Sequence, residues 1–239
     1  VAHAPWWLAT IAEAYTWSAA GLTCELWLLV CLLRRPRAGT LAALALVSGL
    51  GLSLHNLALL PLPVYVVAAA VLAARRRVPA WSLAAAVGAY LAGAGLWIGL
   101  VVQAACRDGS LVEAARSALV GKYAPRVLNL TGGSPHLWAN LGLTGLNFVG
   151  ALLPLAAVGW LRLRRRVGVA IAAALGAITV IELIFFARYS IPDQFTYFLP
   201  SLMLIGAAAA VGLAVVGERS RRGRIAAAAC VLVSLAAGP

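Results

Sequence analysis

Few side chains in this 239-residue chain can do chemistry: 7 carboxylates and 3 histidines stand beside 19 Lys and Arg. Glu13, in the run from Trp6 to Tyr15, offers a carboxylate that can take a proton from an acceptor hydroxyl as a general base. It can equally pair with an Arg or cap a helix. Arg188 brings a planar fork that suits a phosphate. Asp193, in the turn Arg188-Tyr189-Ser190-Ile191-Pro192-Asp193, can orient that fork or hold a divalent cation; a tight Pro-Asp turn with a snorkelling Arg reads the same residues structurally. Lys122 and Tyr123 supply a second cationic and aromatic point. His55 and Asn56 close an apolar stretch, where they can cap a helix or meet a substrate. Glu25 stands alone inside an apolar run, either paired to another helix or protonated, and Glu182 is expected to face Arg188.

The elements that carry these residues follow from hydropathy. The chain is 63% hydrophobic and 11% charged, with mean hydropathy +0.95, against about half apolar and a quarter charged for soluble domains. The net charge of +12 does not indicate nucleic acid, because 14 of the 19 basic residues fall in four clusters. These are Arg34, Arg35 and Arg37; Arg75 to Arg77; Arg162 and Arg164 to Arg166; and Arg219, Arg221, Arg222 and Arg224. Each ends an apolar stretch, as basic cytoplasmic loops do, and anionic membrane lipid is the expected partner. Arg107, Arg116, Lys122, Arg126 and Arg188 then fall on the outward side.

A span needs about 20 apolar residues. Stretches at 16–33, 39–56, 57–74, 79–103, 138–161, 167–187, 195–216 and 225–238 alternate in direction between the clusters. The expectation is an all-α integral membrane protein of about eight transmembrane helices, forming a single polytopic domain over 1–239. Pro61 and Pro63 interrupt the third stretch, and Trp81, Trp97, Trp138 and Trp160 are read as an aromatic belt. The long outward loop 104–137 carries a capping box, Ser110 with Glu113, followed by apolar residues at helical spacing. This predicts an amphipathic helix over about 110–121 lying on the outer surface. Cys24, Cys31, Cys106 and Cys230 show no metal-ligand spacing and are read as small apolar filler, so no metal site is assigned. Richness in Ala and Arg with one Lys points to a bacterial inner-membrane protein. The opening on Val1 and the apolar end at Pro239 mark an expected piece of a longer chain.

Four segments together resemble the GT-C-type polytopic membrane glycosyltransferases, the family that includes the eukaryotic transmembrane protein O-mannosyltransferases and many bacterial proteins. Ala12-Glu13-Ala14-Tyr15 is similar to the family's Ala-Glu-Val-Tyr segment. Gly49-Leu50-Gly51-Leu52-Ser53-Leu54-His55-Asn56 is similar to a helix end that closes in Asn-His, here in the reverse order. Val120-Gly121-Lys122-Tyr123 resembles the end of the family's loop helix, and Arg188 to Asp193 with Phe198-Leu199-Pro200-Ser201 resembles its last outward turn. The resemblance implies transfer of a sugar from a polyprenyl-phosphate donor to an extracytoplasmic protein or glycan acceptor. It implies donor phosphate at Arg188 and Lys122, substrate contacts from Tyr15, His55, Asn56, Tyr123, Tyr189 and Asp193, and no certain cofactor, a divalent metal remaining open. The family's Asp and Glu motif precedes the segment matching Trp7, so the catalytic base is expected upstream of Val1, with Glu13 the candidate within the chain. A transporter or flippase, with polar residues at broken helices near the midplane, and a membrane scaffold without catalysis are the competing readings.

Overall fold

A computed structural model describes residues 14–121, 138, 142, 145, 146, 148, 151–188 and 198–236, and among them it contains helices and no strand. Four segments are long and apolar enough to cross a membrane: 17–34, 56–74, 169–186 and 199–218. A bent pair over 81–108 makes a fifth if it counts as one span. No more than 39% of any of the four is buried, so most of their apolar surface faces outward. Soluble proteins rarely expose apolar patches of that extent; hydrocarbon is the solvent that suits them. The chain divides into two compact units.

The first unit begins with α1 (Ala14–Arg34), which ends on the first Arg cluster. Arg37 is the N-cap of α2 (Ala38–Leu54), and His55 leaves that helix in extended conformation, φ −161° and ψ 138°. A short 3-10 turn (Asn56–Leu59) leads into α3 (Leu62–Ala74). Pro61 and Pro63 therefore do not break a helix interior. They stand at the N-cap and in the first turn of α3, where a missing N–H leaves no bond unmade.

α4 (Trp81–Gly93) and α5 (Gly95–Asp108) replace the single straight span expected over 79–103, and they meet at a 63° bend. The cause is local. The Ser53 hydroxyl, from α2, donates to the Gly93 carbonyl at 3.0 Å and accepts from the Trp97 N–H at 3.4 Å. It stands between two groups that would otherwise bond each other, and such insertion into the i to i−4 ladder is a known cause of sharp kinks. Trp97 thus lies beside a break rather than at a span end. Ser53 can reach the break because α2 and α4 cross backbone to backbone. A Cβ on Gly49 would fall onto the Tyr90 carbonyl oxygen, and one on Gly93 would fall onto the Leu46 carbonyl oxygen and within 2.7 Å of the Leu50 nitrogen. Small residues of this kind permit close packing inside membranes.

Gly109, at φ +77°, closes α5 in the left-handed conformation that glycine adopts without cost. Ser110 then caps α6 (Leu111–Val120), its hydroxyl accepting from the Glu113 N–H at 3.3 Å. Leu111, Val112 and Leu119 are exposed while Ala114 is buried.

The second unit contains α7 (Leu152–Val167), α8 (Val169–Arg188), α9 (Leu199–Arg219) and α10 (Arg221–Ala236). α7 and α9 pack most closely, and again two glycines explain why. A Cβ on Gly159 would fall onto the Ala208 carbonyl oxygen, and one on Gly212 onto the Leu155 carbonyl oxygen. The third Arg cluster is not a loop: Arg162 and Arg164 to Arg166 lie within α7, and Arg166 forms a bidentate ion pair with Glu218 of α9, 2.9 Å from Nη1 to Oε1. In the fourth cluster, Arg221, Arg222 and Arg224 open α10. Basic side chains in a first turn oppose the helix dipole, so local helix energetics do not account for their position.

Candidate functional site

The expected site residues fall into three groups. Glu13, Lys122, Tyr123, Tyr189 and Asp193 lie outside the described residues. Tyr15 stands in the first turn of α1 and Arg188 is the last residue of α8, but their side chains lie outside the description. His55 and Asn56 are described in full.

Asn56 does something its sequence position did not reveal. Its Nδ2 donates to the Ala118 carbonyl at 2.6 Å and to the Leu119 carbonyl at 3.1 Å. These are among the last carbonyls of α6, which have no partner within the helix. Asn56 therefore ties the end of the loop helix to the tip of α2 across 62 residues of sequence, and the chain leaves that tie at Gly121, one residue before Lys122. His55 turns the chain at the same tip. Its Nδ1 accepts from the Leu57 N–H at 3.2 Å, and burial pushes its pKa below the usual histidine range. The tip lies at one end of α2 and Arg37 at the other, about 25 Å apart at 1.5 Å per residue.

A second polar cluster lies inside the helices. Glu25, midway along α1, is 2% exposed. Gly51 of α2 leaves room for it: a Cβ there would come within 3.0 Å of Glu25 Oε1 and 3.0 Å of the Ala58 Cβ. Tyr65 of α3 interacts with the Glu25 carboxyl, and Tyr90 of α4 lies in its neighbourhood. No hydrogen bond of regular geometry reaches Glu25 Oε2 from the described residues. Both tyrosines also face an apolar slot of about 350 Å³ between α2, α3 and α4, whose walls include Leu44, Leu62, Val66 and Val87. Ser48 lines the same slot, is 1% exposed, and its hydroxyl has no hydrogen-bond partner among the described residues. The volume lies in the range of small-molecule sites.

The lone carboxylate of this cluster was visible in the sequence. Its partners were not, because Tyr65 and Tyr90 stand far along the chain in apolar helices with no motif of their own. Glu182, in α8, is buried as well. Among the described residues, no three His, Cys, Asp or Glu side chains gather closely enough to hold a metal ion.

No family model, curated protein or solved structure matches the chain.

Proposed function

We propose that the protein is a multi-pass bacterial inner-membrane glycosyltransferase of the GT-C type, taking a sugar from a polyprenyl-phosphate donor to an extracytoplasmic acceptor. One observation carries the reading. The Asn56 tie holds one of the four segments that carry the resemblance, the helix end Gly49 to Asn56, to Ala118 and Leu119, the residues directly before a second, Val120 to Tyr123. That junction stands at the opposite end of α2 from Arg37, and Arg-rich ends are cytoplasmic by the positive-inside rule. On this reading the junction is extracytoplasmic, α6 lies on the outer surface with its apolar side chains in the interface, and the chain spans about eight times in all.

Lys122, directly after that junction, can offset a donor phosphate's charge through a charge-assisted hydrogen bond, and the resemblance gives Arg188, at the end of α8, the same role. Tyr15, Tyr123, Tyr189 and Asp193 complete the substrate contacts, and Glu13 is the carboxylate within the chain that can act on the acceptor hydroxyl. The slot between α2, α3 and α4 supplies apolar room of the kind a prenyl chain needs. The test is donor binding by the intact protein in membranes, with a radiolabelled polyprenyl phosphate. Arg188→Ala abolishes binding if Arg188 meets the phosphate, and unchanged affinity refutes that role.

A specific observation favours a second reading. The 63° break at Ala94, where the part-buried Ser53 hydroxyl enters the helix, is the kind of broken helix transporters use for midplane sites. Uptake or flipping of a lipid-soluble substrate by reconstituted protein, without sugar transfer, would select it.

A further inference from the structure

The accessible surface of the slot between α2, α3 and α4 is almost wholly apolar, so hydrocarbon is what suits it. The slot opens sideways between α3 and α4, where Val66, Val87 and Leu91 are exposed. Water gains nothing in an apolar cavity, and an unfilled one forfeits dispersion contacts along its walls. An acyl chain from the surrounding bilayer supplies those contacts. The slot runs about 12 Å along α4, from Leu83 to Leu91, at 1.5 Å per residue.

The residues beyond one end of the slot decide which lipid fits. Leu41, the slot residue nearest the start of α2, donates its N–H to the Arg37 carbonyl at 3.1 Å. On α4 the slot begins at Leu83, two residues after the exposed Trp81, a residue type that sits at headgroup level. Arg75, Arg76 and Arg77 stand between α3 and α4, and all three are exposed, as is Arg37. No Asp or Glu occurs between Glu25 and Asp108, and none of these arginines forms an ion pair among the described residues. Unbalanced positive charge thus lies beside an apolar groove, the complement of an anionic headgroup on a hydrocarbon chain.

The backbone of Arg76 is a second, independent observation. The Arg77 N–H donates to the Leu72 carbonyl at 2.8 Å and the Arg76 N–H to the Ala73 carbonyl at 2.9 Å. This pattern puts Arg76 at the left-handed position where glycine is usual. Its φ of +52° makes it the one non-glycine residue with positive φ among those described. A residue strained in this way points to a use for its side chain.

We infer that the first unit holds one anionic phospholipid, with an acyl chain in the slot and the phosphate at Arg37, Arg76 and the neighbouring arginines. By the positive-inside rule this lipid belongs to the cytoplasmic leaflet. It sits toward the opposite end of α2 from the junction assigned to the sugar donor's phosphate, so the inference goes beyond the glycosyltransferase reading and stands without it.

The test titrates the whole chain in neutral detergent with phosphatidylglycerol and with phosphatidylcholine of the same acyl chains, and counts bound lipid by native mass spectrometry. One phosphatidylglycerol is expected to bind at least about tenfold more tightly than phosphatidylcholine. Arg76→Gly relieves the turn, so this variant should fold with a raised thermal midpoint in lipid-free detergent, yet bind phosphatidylglycerol roughly fivefold more weakly. Val87→Trp, whose larger ring closes the slot from its exposed side, should weaken both lipids about tenfold by excluding part of the acyl chain. Equal affinity for the two lipids, or parental affinity in Arg76→Gly, overturns the headgroup site. Folded Val87→Trp protein with parental affinity overturns the acyl seat, as does displacement of the lipid by inorganic phosphate at the lipid's own concentration. If polyprenyl phosphate displaces the phospholipid and its own binding also falls in Arg76→Gly, the site is the donor's and the inference fails. Donor binding that survives Arg76→Gly supports the inference and leaves the glycosyltransferase reading to its own test.

Discussion

Replacing Ser53 by Ala tests whether one hydroxyl holds the bend between α4 and α5. The substitution removes both the bond to the Gly93 carbonyl at 3.0 Å and the bond from the Trp97 N–H at 3.4 Å. Two outcomes are physically open to the backbone. If the bend persists, a partly buried carbonyl and N–H lose their partner, at about 1–3 kcal/mol for each group left unsatisfied. If α4 and α5 straighten, Trp97 N–H bonds Gly93 directly and the loss shrinks to the range of about 0.6–1.7 kcal/mol seen for single side-chain bonds in membranes. The second is cheaper, so straightening is expected.

The geometry makes this measurable. Trp81 and Asp108 lie 13 and 14 residues from Ala94, so at 1.5 Å per residue their backbones are about 40 Å apart in a straight helix and about 35 Å apart at 63°. Spin labels at these two positions, in a protein whose four cysteines are replaced, resolve that difference by pulsed electron spin resonance. Ser53→Thr, which keeps a hydroxyl, should leave the shorter distance in place. If Ser53→Ala changes neither the distance nor the thermal midpoint, the hydroxyl does not cause the bend.

Asn56→Ala should release the end of α6 at a cost of about 1–2 kcal/mol for its two bonds, read as faster hydrogen exchange at Ala118 to Gly121 with exchange in α7 to α10 unchanged. Gly49→Val should force α2 and α4 apart, since the new side chain meets backbone rather than a flexible neighbour; a loss of at least about 1–3 kcal/mol is expected in a reversible detergent unfolding assay, and Gly21→Val, where nothing lies within 4 Å, is the near-neutral control. His55 is held below the ordinary histidine pKa by burial, and its Nδ1 must be unprotonated to accept from Leu57. The unfolded chain therefore takes up this proton first, so stability is full above about pH 6.5 and falls as pH drops below it. His55→Asn, which keeps an acceptor and does not titrate, should flatten that part of the profile of thermal midpoint between pH 8 and pH 5.

Much of the helical architecture can be read along the chain because hydropathy and helix punctuation are local. The apolar stretches of 16–33, 57–74, 167–187 and 195–216 correspond to segments long enough to cross a membrane, and Ser110 with Glu113 marks the start of α6. The sugar donor, the acceptor and the outward direction of the loops follow from resemblance and from charge bias, which no contact in the structure addresses.

What the amino-acid order determined by itself is therefore the identity and spacing of apolar segments, with the Arg clusters and the caps between them, since each depends on residues within a few turns of one another. What only the tertiary structure decided is where scarce polar groups meet. Ser53 breaks a helix 40 residues away, Asn56 binds one 62 residues away, and Glu25 finds Tyr65 and Tyr90 beside an apolar slot. Those meetings depend on how closely glycine lets two backbones approach, and a periodicity of single helices carries no information about which faces will cross.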